Sequence, residues 1–454
     1  MKVSAKRLQR FLISLLESLN DPSFNGARGL MNIMGTPTRA AWAAVALSLG
    51  MVSAPPAQAQ TLTFDLLHTF TGAPDGNQPL AGLFRDAKGR LYGTTGTGGD
   101  ANCPGNQPFG CGTVFEVKSG KYSVLYIFLG GSDGGFPVAS LTEDAAGNLY
   151  GTTEGLNGAA STVFKLTQTG QKTVLHTFSN EGSDGGAPDT PPILNAAGNL
   201  YGTTPVNGDS HCGFEGSGCG VVYELDARGQ FSVFHTFANI ADGMMPEGGL
   251  AIDAQGTLYG ATFYGGDLNC YAKTTIGCGT VFRIKKNGKF AVLHRFDGKA
   301  DGAYPVSATA DPAGNVYGIT TYGGDLSCYP PFGCGVIFKI DTAGKFTVLF
   351  TFSSKVICCG PEYNTLVRDA KGNLYDSTPI NGPHNGGFLF ELDTSGTFTD
   401  LFDFPYQGEN GDGEFANSIV MDSHGNFYGT MQLGGDFSCG RGDNGCGTVF
   451  ELTP

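Results

Sequence analysis

The stretch Gly147-Asn148-Leu149-Tyr150-Gly151-Thr152-Thr153 decides the fold, because variants of it recur along the whole chain. Its tyrosine returns at Tyr92, Tyr150, Tyr201, Tyr259, Tyr317, Tyr375 and Tyr428, at spacings of 58, 51, 58, 58, 58 and 53 residues. Self-similarity at such a period marks a repeat architecture. Outward from the motif, each copy carries four short segments. An apolar run such as Val138–Asp144 comes first; after the tight turn Asp144-Ala145-Ala146-Gly147-Asn148, the motif Leu149–Thr153 is second. The third is Thr162–Leu166, with equivalents at Gly112–Val117, Gly220–Leu225, Gly279–Ile284, Gly335–Ile340, Gly387–Leu392 and Gly447–Leu452. The fourth is Thr173–Phe178, with relatives at Ser232–Phe237, Ala291–Phe296 and Thr347–Phe352.

These segments are rich in Val, Leu, Phe, Tyr and Thr and bounded by Gly, Asn and Asp, so they read as strands. Their near-continuous apolarity says that both faces of each sheet are covered. The composition agrees: 72 glycines and 11% aromatic residues, with only 15% charged, describe a turn-rich, strand-rich protein. Four antiparallel strands per repeat predict an all-β, seven-bladed β-propeller over residues 60–454. A linear β-solenoid is the competing architecture. Against it, the globular part opens with a fourth-type segment, Leu62–Phe70, and the last repeat stops at Leu452-Thr453-Pro454, after its third. In a ring, the N-terminal strand completes the last blade and removes a free sheet edge.

The pattern Gly-Asn-Leu-Tyr-Gly-Thr-Thr, followed by Gly-Gly-Asp, Cys-Gly-Thr-Val-Phe-Glu-Leu and Val-Leu-His-Thr-Phe, resembles the GloVer repeat of the choice-of-anchor tandem-repeat family of exported bacterial proteins. The resemblance spans essentially residues 61–454. It implies export and, in many members, a C-terminal surface anchor, but no activity and no catalytic residues. This sequence stops at Pro454 with no sorting motif, tail helix or basic end, so the expectation is a free secreted or periplasmic protein.

Residues 1–59 stand apart. Arg39, the apolar run Ala40–Val52 and Ala57-Gln58-Ala59 read as a signal peptide cleaved before Gln60, behind an upstream extension; Met31 and Met34 are alternative starts. An N-terminal membrane anchor is the alternative, but the run is short of the ~20 residues that span a bilayer. Removing residues 1–59 takes away six basic and two acidic side chains, leaving 21 basic against 39 acidic residues, net −18. Nucleic acid is therefore a poor partner, since phosphate binding needs a basic surface. Neutral glycans, cations and basic proteins remain open.

Ten cysteines form five local pairs, Cys103/Cys111, Cys212/Cys219, Cys270/Cys278, Cys328/Cys334 and Cys439/Cys446, each in the long connection between second and third strands. In an oxidising compartment they are expected as disulfides that staple these loops. Structural zinc is the competing reading, with spacings unlike those of zinc fingers. The adjacent Cys358-Cys359 is expected to make a local link.

In a propeller the connections between second and third strands and between blades share one face. That face carries the cysteine loops and a repeated Asp-Gly: Asp75, Asp133, Asp184, Asp242, Asp301 and Asp412. These aspartates are candidate ligands for sugar hydroxyls or calcium in a ring near the channel mouth; the alternative is that they simply build turns. No other cofactor is expected. Tyr264 and Tyr322, with Phe109, Phe214, Tyr271, Tyr329 and Phe332, are candidates for stacking on sugar rings, or covers for the disulfides. His68, His176, His235 and His294 share a fourth-strand position taken elsewhere by Tyr126, Phe350 and Phe402, which argues for packing; His211 and His384 are the histidines on the loop face. Gly130–Gly134 and Arg441-Gly442-Asp443 match short nucleophile-elbow and adhesion patterns by chance.

Repetition without an acid/base cluster favours a monomeric, non-catalytic binding module for polysaccharide or protein. The alternatives are a propeller hydrolase or lyase, with its site at the channel mouth near blade six (Tyr375-Asp376-Ser377-Thr378, Cys358-Cys359, His384), and a structural envelope component.

Overall fold

The computed structural model describes residues 62–454 apart from 180–181, 214–216, 271–275, 354–364, 379–386, 405–413 and 440–444. Cys358, Cys359, Asp412, His384, Phe214, Tyr271 and residues 1–59 thus lie outside the described residues. Seven antiparallel sheets follow one another along the chain as a seven-bladed β-propeller. Blade two is representative, with strands Thr142–Glu143, Leu149–Thr153, Thr162–Leu166 and Lys172–Thr177 paired in that order. In blade seven the second strand Phe427–Leu433 pairs with Thr448–Thr453, and Thr63–Thr69 from the N-terminus lies on its far side. Ring closure by the N-terminal strand is as the repeat count requires.

The motif residues each have a task. Asp144 Oδ1 accepts the backbone N–H of Ala146 and Asn148, both at 2.9 Å, and Oδ2 accepts from Asn148 Nδ2 (2.8 Å) and the Tyr150 hydroxyl (2.9 Å). Gly147 takes φ +80°, where a side chain is strained. One carboxylate thus clasps the whole turn before the second strand. The glycine inside the motif is steric: a Cβ on Gly93 would lie 2.3 Å from Phe115 Cζ on the neighbouring third strand. In blades one, two and seven the first threonine ties blades together. Thr94 donates to the Ala139 carbonyl of the next blade (3.0 Å), and Thr430 to that of Ala81 (2.8 Å) across the closure.

First strands converge on the axis. A Cβ on Gly82 of blade one would sit 2.4 Å from the Ser418 carbonyl of blade seven, and Thr365 N–H of blade six donates to Ser418 Oγ at 3.1 Å. Third strands are buried on both faces, as in Thr162–Leu166, because each sheet packs between two others. Every pairing of third with fourth strand carries a bulge at one place, between Val163 and Phe164 in blade two and between Leu66 and His68 at the closure. A bulge increases local twist and re-aims the residues after it.

The closing strand carries Phe70, wholly buried against Phe115 of blade one. A chain beginning at residue 71 would expose the Thr448–Thr453 edge and lose this ring, so it should elute from size exclusion as oligomers or aggregate. A peptide of residues 61–70, added during refolding, should restore the monomer. Within the full chain, Phe70→Ala should cost about 3–5 kcal/mol in urea denaturation.

Candidate functional site

The loop face is built on five disulfides, Cys103–Cys111, Cys212–Cys219, Cys270–Cys278, Cys328–Cys334 and Cys439–Cys446, the pairs expected from their spacing. They point to an oxidising compartment and so to an exported protein. Where the sequence sets these cysteines in surface loops, the structure draws them inward. Cys334 is wholly buried, packed in one cluster with Val306, Ile337, Phe352 and Phe388, and Cys103, Cys111, Cys219, Cys270, Cys278 and Cys446 are equally sealed. The reason is that the second cysteine lies just before the third strand, which is covered on both faces, so Cys334 extends the core beneath its loop and cannot meet a ligand.

The second cysteine of a pair also reaches the next blade. Phe136 N–H donates to the Cys111 carbonyl (2.9 Å), Met245 to Cys219 (3.1 Å), Tyr304 to Cys278 (2.8 Å) and Gln78 to Cys446 (3.0 Å). For Cys334 the equivalent stretch of blade six falls outside the described residues. All four donors have left-handed φ of 55–58°, unusual outside glycine, a local strain that this bridge offsets. Each of these four stapled loops therefore sits at a defined place over the blade junction.

Among the described residues, Asp75, Asp133, Asp184 and Asp301 reach outward to side chains of the fourth strands. Asp75 lies 3.0 Å from His68 Nε2, Asp184 3.1 Å from His176 and Asp301 2.9 Å from His294. Asp133 accepts from the Tyr126 hydroxyl and from Lys172 Nζ, both at 2.8 Å. These four also accept a backbone N–H from their own turns, as Asp133 does from Leu129 at 2.9 Å. Asp242 accepts from Asn239 Nδ2 at 2.6 Å. The carboxylates serve as turn clasps, and among the described residues no three His, Cys, Asp or Glu gather to hold a metal ion.

The fourth-strand histidines are flat spacers between blades. His68 stacks on Tyr122 at 3.6 Å, His176 on Phe231 at 3.6 Å, His235 on Phe290 at 4.0 Å and His294 on Phe346 at 3.9 Å. Phe350–Phe398 and Phe402–Phe64 continue the series, and Lys172 over Tyr126 replaces one ring by a cation. Burial lowers His235 to about 4, only partly opposed by Asp242, so it is neutral near pH 7. His211 is almost fully exposed and bonds to Asp209 of its own loop. In blade six Asp376 is fully buried inside the sheet, with Ser377 N–H on Oδ1 and no partner for Oδ2. Burial drives its carboxyl far above the usual range, and the side chain has no access to the loop face.

Two features remain on that face. The first is a run of rings across blades four and five. Phe263 stacks on Tyr304 at 5.1 Å, Tyr304 meets Tyr322 at 5.7 Å, and Tyr322 meets Tyr329 at 6.5 Å and Phe332 at 5.7 Å; Tyr264 contacts both Phe263 and Tyr304. Tyr264 and Tyr322 are half-buried and pack on the cluster holding Cys270 and Cys278, whereas Tyr329 and Phe332 are 47% and 40% exposed. The tyrosines thus cover a disulfide at one end of the run and open to solvent at the other. At the rim, Leu268, Leu326 and Phe437 are exposed at one equivalent position of three cysteine loops.

The second feature is acidic and was not among the sequence candidates. Glu154 follows the second strand of blade two, where blade four has Phe263; both backbone N–H groups bond the carbonyl that precedes the inner strand's Pro, from Phe136 and Met245 respectively. Asp189 and Glu247 follow the equivalent proline in blades three and four. These positions lie at the loop-face ends of the first and second strands, around the mouth on which the first strands converge. Burial, then Glu247 and Glu154, push Asp189 far above the carboxylate range, and its Oδ1 is buried without a partner. Burial raises Glu154 and takes Glu247 up to about 7. The signal was available: other copies carry Leu80, Val138, Gly96 or Thr321 at these places.

No described helix is long and apolar enough to cross a membrane. Solved structures resemble the chain at low identity. The extracellular domain of a putative one component system from B. thetaiotaomicron is 10% identical, with a TM-score of 0.51, covering 87% of this chain and 40% of that one. The extracellular domain of a putative hybrid two component system from the same organism is 14% identical, with a TM-score of 0.49, covering 87% and 41%. A gluconolactonase from Xanthomonas campestris is 14% identical, with a TM-score of 0.38, covering 86% and 89%. The chain thus spans about two-fifths of the length of the two extracellular domains, and these likenesses bear on the fold alone. No curated protein matches the sequence. The Gloeobacter/Verrucomicrobia repeat profile matches residues 52–215 and 160–365. These matches take in more than half of the 454 residues, and the chain belongs to the Gloeobacter/Verrucomicrobia (GloVer) repeat family.

Proposed function

We propose that this protein is an exported, non-catalytic binding module that holds a polysaccharide across its loop face. The observation that carries the reading is the run of rings from Phe263, at the channel mouth, to Tyr329 and Phe332 in solvent. Aromatic faces offer sugar rings an apolar stacking surface, and their hydroxyls add directional bonds. The mouth carboxylates of blades two to four add acceptors for hydroxyl donors at the inner end of the run. Disulfide-stapled loops lose little entropy when they bind, which favours affinity from a modest contact area. A protein ligand on the same face is the alternative outcome of the test below.

The mature chain, residues 60–454, should be retained on at least one insoluble polysaccharide of a bacterial and plant panel, without release of soluble sugar. Tyr329→Ala with Phe332→Ala should weaken that retention about tenfold. Release of sugar would make the protein an enzyme. Absence of retention on every glycan would leave a protein partner or a structural role.

The acidic mouth makes its own prediction. Glu247 titrates at about 7 in the folded chain against 4.5 when free. Between those values the folded state keeps a proton that the unfolded state has released, so stability falls as pH rises. The full gap corresponds to at most about 3 kcal/mol. Glu247→Gln cannot ionise and should lack this decline, so its urea midpoint should gain on that of the parent between pH 4.5 and pH 7. Parallel pH profiles would show that Glu247 is solvated and the mouth open to water.

A further inference from the structure

The opposite face, which carries the tight turns, has its own cleft. In blade one, Arg90 lies in the groove toward blade two, with Nε 2.6 Å from Asp86, Nη1 3.6 Å from Glu116 and Nη2 3.7 Å from Glu143 of blade two. Three carboxylates from two blades neutralise one guanidinium there. At the junction of blades four and five the same three places are filled differently. Thr257 stands where blade one has Arg90, Arg283 where it has Glu116, and Ala310 of blade five where blade two has Glu143. The cation has moved to the third strand, and the two carboxylates that flanked it are gone.

Arg283 accordingly makes no ion pair among the described residues, and neither do Lys285 and Lys286 beside it. The three line a cleft of about 490 Å³ between the turns of blades four and five. That volume falls in the range of small-molecule sites, roughly 300–1,000 Å³. The carboxylates at the cleft are already engaged. Asp253 accepts Gln255 N–H (2.9 Å), Thr257 N–H (2.8 Å) and the Tyr259 hydroxyl (2.9 Å), and Asp341 accepts Ala343 and Lys345 N–H, both at 2.9 Å. With three cations against two carboxylates the lining is net positive, in a chain whose overall charge is −14. Asn287 and Thr342 add neutral hydrogen-bonding groups to the wall.

We propose that this cleft binds an acidic saccharide of one or two rings, its carboxylate or sulfate held by Arg283. A guanidinium presents two parallel N–H donors to such an oxyanion, and the lysines add charge without fixed geometry. The site is independent of the loop face. It would let one molecule hold a neutral polymer on one side and an acidic one on the other.

Calorimetric titration of the mature chain with digalacturonate, a sulfated disaccharide and maltose tests the proposal. One or both acidic sugars should bind and maltose should not, and binding should weaken as salt rises from 20 to about 300 mM. Arg283→Gln should lose affinity about tenfold or more, and Arg283→Lys should recover only part of it, with the melting temperature of both unchanged. Lys285→Gln with Lys286→Gln should lose severalfold. Equal binding of maltose, no binding of either anion, or an affinity indifferent to Arg283→Gln would overturn the assignment. Which acidic sugar binds distinguishes carboxylate from sulfate as the group recognised. Retention on neutral glycans through Tyr329 and Phe332 is measured separately, so either site can fail without the other.

Discussion

A buried phenylalanine at the end of each fourth strand, set edge-on against a third-strand ring of the next blade, is the contact on which the molecule depends. The seven pairs are Phe70–Phe115, Phe128–Phe164, Phe178–Tyr223, Phe237–Phe282, Phe296–Phe338, Phe352–Phe390 and Phe404–Phe450, with centroids 5.2–5.9 Å apart. Edge-to-face geometry at this separation is favourable beyond the area it buries. The consequences propagate through each sheet. The third-strand ring lies over the second strand, which is why that strand carries glycine at Gly93, Gly151, Gly202, Gly260, Gly318 and Gly429. Blade six breaks the rule with Asp376, and there the pair Phe352–Phe390 has the widest separation of the seven.

Because every pair joins consecutive blades, the last can form only if the N-terminus returns to the end of the chain. Phe70 does this from the closing strand, and Phe64 joins it, stacked between Phe402 and Phe450. Outside the phenylalanines, the stacked histidines and their aspartate partners form a second, more polar layer of blade contacts. Asp75, Asp133, Asp184 and Asp301 are therefore committed to their own turns and fourth strands, and Asp133 also reaches Lys172 of the next blade. Their repetition reflects a structural need that repeats.

The architecture was legible because it is written seven times, and a signal repeated at one period survives local irregularity. The disulfide pairing was legible for a related reason: each pair is local, and long loops alone carry one. The depth of the sulfurs was not, since spacing says which cysteines meet and nothing of how far Cys334 sinks below its loop. Direction was the missing information for Asp75, Asp133, Asp184, Asp242 and Asp301. A sequence shows that a carboxylate sits in a turn, but the bulge that turns His68, His176 or His294 toward it appears only in the register. The mouth carboxylates escaped notice for a different reason. Glu154 lies just beyond the strongest motif, and Asp189 and Glu247 follow the proline ahead of the first strand, at positions where the copies disagree, so the search for what recurs passed over them. Tyr264 and Tyr322 were legible as loop-face aromatics, but only packing separates them, half-buried, from the exposed Tyr329 and Phe332.

In a ring of near-identical blades, what is shared must serve what every blade has in common, which is its contact with the next. A ligand that engages one region needs a departure from the repeat, and departures cost stability unless something offsets them. Two groups of departures coincide with open surface. Glu154, Asp189 and Glu247 place carboxyls in a partly buried mouth; burial raises the proton affinity of all three, Glu247 and Glu154 add to it for Asp189, and the shift costs folding energy near neutral pH. Arg283 gives up the carboxylates that surround Arg90 and leaves a cleft where blade one has an ion cluster. Asp376 departs equally, yet it is sealed inside its sheet and meets no surface. Accessibility, not the size of the departure, therefore separates candidate sites from internal irregularities, and it directs attention to blades two to five.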